Sequence, residues 1–197
     1  SWSRLAEKPS DLGDKDDGFI LPPFQVVRHR SKYSAIKASD GTLFASIAMS
    51  ATTMHDVKRQ TSEARAEKAG ALAADARDES CVIWCDTNYE ADALKAAIPE
   101  AIEIRGSQDI DEKEELLDAF ASGEANHLIA KPSMCGHGLN WQHCARMIFV
   151  GRSYSYETYY QAVRRCWRYG QRRPVRVDLI VAEGESEIGR VIDRKAS

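Results

Sequence analysis

A chain of 197 residues, 43% hydrophobic and 29% charged, is long enough to bury one good core. A formal net charge of −3 excludes a globally basic nucleic-acid-coating protein, and five cysteines, an odd number, argue against a disulfide framework and for a reducing compartment. No signal peptide, membrane-crossing run or lipidation motif is present, which points to a cytoplasmic protein.

Residues 1–20 read as a flexible tail or linker, with Pro9, Gly13 and Gly18 among clustered Asp and Lys, and residues 21–197 as one domain. After Pro22-Pro23, the stretch Phe24 to His29 alternates like a strand, and Asp40-Gly41 marks a turn. Thr52 or Thr53 caps a predicted Ala-, Glu- and Arg-rich helix from about Met54 to Ala76. Cys81 to Cys85 forms an apolar strand, its cysteines packing at the strand ends. A helix follows, opened by the capping box Thr87-x-x-Glu90. Its N-terminus, with Thr87, could hold a backbone phosphate through free N–H groups and the helix dipole.

Ala101 to Ile104 is a further short strand, ending in Arg105-Gly106-Ser107. The acidic run Asp109 to Glu115 opens a helix, so Asp111-Glu112 is solvated rather than metal-binding. His127 to Lys131 reads as a buried strand that leads into Gly136-x-Gly138-Leu139-Asn140, where glycines allow a sharp turn and close approach to phosphate or sugar. Cys135, His137, His143 and Cys144 include zinc-compatible ligands, but their spacing lacks a paired C-x₂-C and disfavours a structural zinc.

The most informative segment is Gln161-x-x-Arg164-Arg165-x-x-Arg168-x-Gly170-Gln171. On a helix capped by Ser155 and ended by Gly170 and Pro174, Gln161, Arg164, Arg165 and Arg168 share one face. Tyr156, Tyr159, Tyr160, Val163 and Trp167 would then face the core. Three guanidiniums on one stripe repel by a few tenths of a kcal/mol per pair, which makes sense if a polyanion lies against them. Arginine forks suit phosphate better than lysine does. Val175 to Val181 reads as a last strand and Glu185 to Arg194 as a terminal helix.

The 161–171 segment resembles motif VI of superfamily-two helicases, most closely the Swi/Snf-type branch that ends in R-x-G-Q. Residues 127–142 are similar to motif V and residues 81–94 to motif IV of the same family; several strings look especially like phage and prophage helicases. The resemblance implies an α/β fold with a RecA-like parallel sheet covered by helices on both faces, the second lobe of a two-lobe motor. Residues 1–20 would then be a tail or inter-lobe linker. It implies that Arg165 and Arg168 are catalytic arginine fingers on the γ-phosphate, with Gln161, Gly138 and Asn140 near the nucleotide. Thr87, Arg105, Gly106, Ser107 and Gly136 would touch nucleic acid, DNA being favoured by the Swi/Snf-like ending. The role of Arg164 is open, since relatives often carry Gly or Asp there.

No G-x-x-x-x-G-K-[ST] occurs. ATP and Mg²⁺ are therefore expected to be held mainly by an N-terminal RecA-like lobe, in the same parent chain or separate, and this chain alone is expected to be inactive. The alternative is a non-catalytic RecA-like module that binds nucleic acid or protein.

Overall fold

The computed structural model describes residues 20–31, 59, 61–134, 139–150 and 156–182. Six parallel strands form one sheet: β1 (Phe24–Ser31), β2 (Cys81–Trp84), β3 (Ile102–Glu103), β4 (His127–Ala130), β5 (Arg146–Phe149) and β6 (Val175–Ala182). Their spatial order is β1-β6-β5-β2-β4-β3, and every adjacent pair runs parallel. The expected RecA-like parallel architecture is the one observed. Every residue of β2, β4 and β5 is buried, as strands covered on both faces must be. β5, an apolar run within Arg146 to Val150, is a strand the sequence reading did not single out.

Register divides the core in two. Val82, Trp84, Leu128, Met147, Phe149, Val177 and Leu179 share one face, packed by Phe120 of α3 (Ile110–Ser122) and by Ala162 and Val163 of α4 (Tyr156–Val163). Cys81, Ile83, Ile129, Ile148 and Ile180 share the other. That second face is covered by Ala66, Ala69 and Leu72 of α1 (Ser62–Ala74) and by Ala91 and Leu94 of α2 (Asn88–Ala97). The small side chains of α1 permit a close crossing: a Cβ on Gly70 would lie 3.2 Å from the Ala97 carbonyl oxygen. Burial raises the thiol pKa of both Cys81 and Cys85, consistent with their expected packing role.

Two buried polar clusters tie these layers together. Arg65 of α1 pairs with Glu90 of α2 at 2.7 Å, both side chains fully buried, and Arg65 also donates to the Val150 carbonyl. Asp178 of β6 is buried between His29 of β1 at 2.7 Å, Arg146 of β5 at 3.2 Å and Arg176 at 2.9 Å. Burial pushes the Asp178 carboxyl up, but Arg176, His29 and Arg146 outweigh it and hold the group below its ordinary value.

Candidate functional site

The chain after α4 forms a turn rather than the predicted longer helix. α4 stops at Val163, so the predicted single stripe from Gln161 to Arg168 is broken after Arg164, whose N–H still donates to the Tyr160 carbonyl at 3.0 Å. Arg165 and Cys166 donate to carbonyls only three residues back, Ala162 and Val163, at 3.2 Å each, the tighter 3₁₀ pattern. Carbonyls of this turn find partners elsewhere in the fold. Arg165 accepts from the Trp141 N–H at 3.0 Å. The buried Gln171 amide donates to the carbonyls of Cys166 at 3.2 Å and Cys144 at 2.9 Å, and its oxygen accepts from the Arg173 N–H at 2.9 Å.

Gly170 closes the turn at φ +88°, where a Cβ would lie 2.6 Å from Gln142 Oε1. The left-handed backbone calls for glycine, and any Cβ would also displace the Gln142 side chain. Gln142 also donates to the Tyr169 carbonyl at 2.7 Å.

These bonds press the arginine turn against residues 139–144, directly after the predicted motif V loop. Arg168 Nη1 reaches the Leu139 carbonyl at 3.4 Å, beside exposed Asn140. No carboxylate among the described residues pairs with Arg168. Arg165 is half-buried in the same turn. Arg164 lies 6.0 Å from the Tyr160 ring centroid and 5.8 Å from that of Trp167, within cation–π range. Exposed Gln161 donates to Glu157 Oε1 at 3.1 Å, one turn earlier on α4.

The predicted core stripe of α4 also needs correction. Val163 is buried, Tyr159 packs on Phe149 at 4.9 Å, and Trp167 packs on Phe24 at 4.9 Å. Tyr156 and Tyr160 instead face outward. The face buried after α4 begins is Tyr159, Ala162, Val163 and Cys166, a helical spacing that leaves the other two tyrosines outside.

The other predicted contacts follow the carboxyl ends of β2 and β3, at the opposite end of the sheet from the amino ends of β5 and β6 where the arginine turn leads. Thr87 and Glu90 form the expected capping box. Glu90 Oε2 accepts from Asp86 N at 2.9 Å and Thr87 N at 3.1 Å, and Glu90 N donates to the Thr87 hydroxyl at 3.4 Å. The N–H groups of Asp86, Thr87 and Glu90 are therefore occupied, where the sequence reading expected free N–H groups at this helix start. The physical reason is the buried carboxylate that Arg65 holds in place.

Arg105 likewise departs from expectation. Its guanidinium lies 2.6 Å from Glu103 and 2.5 Å from Asp92, and hydrogen bonds to both raise its pKa further. Its charge is thus neutralised within the chain. Gly106 and Ser107 are exposed beside it, and a Cβ on Gly106 would lie 3.2 Å from Met134 Cε. One cation missed in the sequence stands at this end: Lys131, directly after β4, donates to Asn88 Oδ1 at 2.6 Å. Its signal was a lysine closing an otherwise apolar strand.

Gly136 and Gly138 lie outside the described residues, as do Cys135, His137, Ser155, Thr52, Thr53 and the predicted terminal helix. Among the described residues, no group of three or more His, Cys, Asp or Glu is placed to hold a metal, and no helix is long and apolar enough to cross a membrane.

The sequence profile of the family described as "Helicase conserved C-terminal domain" matches residues 64–170. No curated protein matches the chain. Among solved structures, the chain is similar to "Crystal structure of the C-terminal part of Fun30 ATPase domain", with TM-score 0.57 and 19% identity. That superposition covers 66% of this chain and 44% of the other, so this chain spans less than half of the structure it resembles.

Proposed function

Because the matched residues 64–170 make up more than half of its length, this chain belongs to the helicase conserved C-terminal domain family, and we propose that it works as the second, Swi/Snf-like lobe of an ATP-dependent nucleic-acid helicase or translocase. ATP supplies the phosphoanhydride bond whose hydrolysis drives the motor. Arg165 and Arg168 act as fingers that stabilise negative charge developing on the transferring phosphoryl group. The resemblance assigns Gln161, Asn140 and Gly138 to the same nucleotide.

The observation that carries this reading is Arg168 held by the Leu139 carbonyl at 3.4 Å, with no carboxylate neutralising it among the described residues. A guanidinium with one terminal nitrogen on a backbone carbonyl and no carboxylate against it keeps its other donors for an incoming polyphosphate. The resemblance assigns Mg²⁺ mainly to the N-terminal lobe, and no step is routed through it.

Nucleic acid, DNA being favoured by the R-x-G-Q ending, lies along the carboxyl ends of β2 to β4. Gly106 and Ser107 contact its backbone there, the resemblance adds Gly136, and Thr87 has a hydroxyl that can donate while accepting from the Glu90 N–H. Arg105 joins them only by exchanging Asp92 for phosphate. Contacts of this kind fix position without reading sequence.

The test is Arg168→Ala in the assembled two-lobe protein. Turnover of ATP should fall roughly 10³-fold or more, with the lobe still folded by circular dichroism. Undiminished ATPase refutes the finger assignment.

A further inference from the structure

α4 carries an aromatic face that the fold itself does not use. Tyr156 and Tyr160 are 57% and 46% exposed. Their rings stack with centroids 6.1 Å apart and planes 20° from parallel. The Arg164 guanidinium continues the row, 6.0 Å from the Tyr160 ring and 5.8 Å from Trp167. The helix beneath is anchored by Tyr159 on Phe149 and by buried Ala162 and Val163, so the exposed rings stand on a fixed base.

Two large exposed rings in one row are poor solvent-facing choices unless something covers them. Topology says where they stand. α4 follows β5, and β5 pairs with β2, Phe149 opposite Trp84. Tyr156, in the first turn of α4, therefore lies toward the carboxyl ends of the strands, the end that also carries Thr87 and Lys131. The row runs from there toward Arg165 and Arg168.

We propose that Tyr156, Tyr160 and Arg164 form a stacking ledge for an unpaired base of a nucleic-acid strand. Ring faces and a guanidinium plane are the sequence-tolerant surface on which single-stranded bases stack. A protein partner would suit the tyrosines equally. The cation placed between Tyr160 and Trp167, with Arg168 one turn further along the chain, favours a polyanion with flat rings. The proposal rests on the helicase reading only for the presence of a strand. It adds base stacking to contacts otherwise confined to the backbone.

The experiment is a titration of the full chain against fluorescein-labelled oligothymidine, and against the same strand with abasic sites. Three proteins are compared: unaltered, Tyr156→Ala/Tyr160→Ala, and Tyr156→Phe/Tyr160→Phe. The alanine pair should bind the base-bearing strand at least about 5-fold more weakly per base stacked, while the phenylalanine pair keeps its affinity. On the abasic strand the three should coincide. Equal binding by the alanine pair, equal losses on both strands, or no binding by the unaltered chain overturns the ledge. So does an alanine pair that keeps oligothymidine affinity but weakens association with the N-terminal lobe, which would make these rings a protein contact. None of these results bears on Arg168, whose test is ATP turnover.

Discussion

Gln171 holds Cys144: its side-chain nitrogen lies 2.9 Å from the Cys144 carbonyl oxygen and 3.2 Å from that of Cys166. One buried amide thereby joins the residue two before β5 to the middle of the arginine turn. The last residue of the R-x-G-Q ending is, in this chain, a brace for the two arginines before it.

Replacing Gln171 by Ala strands two carbonyls and the Arg173 N–H, each about 1–3 kcal/mol when buried and unsatisfied. The expected loss is about 2 kcal/mol or more, read from the urea midpoint. Gln171→Glu should be worse, since it turns a carboxylate oxygen toward two carbonyl oxygens. A variant as stable as the unaltered chain would remove the brace from the account.

Gly170→Ala and Gly123→Ala separate two effects. Both glycines have positive φ, +88° and +81°, but only Gly170 has a neighbour within 4 Å of the added methyl, Gln142. Gly123→Ala should cost about 1–2 kcal/mol of backbone strain. Gly170→Ala should cost more, because Gln142 must also leave the Tyr169 carbonyl. Equal denaturation midpoints would show that Gln142 moves freely.

Arg65→Met leaves Glu90 charged, buried and without its cation. A loss of about 3–5 kcal/mol is expected. Adding Glu90→Gln to Arg65→Met should recover part of it, because the buried negative charge is gone. Thermal unfolding of the two single variants and the double gives the coupling directly. Additive losses would mean that the pair does not act as a unit.

Asp178 sets a pH dependence. Its carboxyl titrates below the ordinary range of about 3.9 because Arg176, His29 and Arg146 surround it, despite burial. A depressed folded value gives stability that is full above the ordinary value and lost as pH falls through the folded one. Urea midpoints should therefore fall below about pH 4. In Asp178→Asn that acid slope should be shallower and the midpoint at neutral pH lower. An unchanged slope would place the acid sensitivity in other carboxylates.

The parts of this fold legible beforehand were those written locally. β2 and β4 are short apolar runs, and the Thr87-x-x-Glu90 box opens α2 as expected. β6 follows from Val175 to Val181, and the acidic opening of α3 is fixed by Asp109, whose carboxylate accepts from Glu112 N at 2.8 Å. Misreadings arose where distant residues compete for local bonds. Helical spacing carried the arginines along one face, but the Arg165 and Cys166 N–H groups turn to carbonyls three residues back, and Trp141 and Gln171 hold the carbonyls of the turn that follows. Arg105 was expected at nucleic acid, but the fold sets it between Glu103, two residues away, and Asp92, thirteen residues away along the chain. Glu90 looked like a cap only, since nothing near it announces Arg65.

Most of the strands, the identity of the arginine-bearing segment and its kinship with helicase C-terminal domains were determined by sequence alone, because periodicity, caps and motif spacing are properties of neighbours along the chain, whereas β5 and the spatial order of the strands were not. Which guanidinium is left uncompensated, which N–H groups are already occupied and which tyrosines remain outside were decided only by the tertiary structure. Hydrogen bonds and ion pairs are made to whatever the fold brings within about 3 Å, and that company is set by the packing of the sheet.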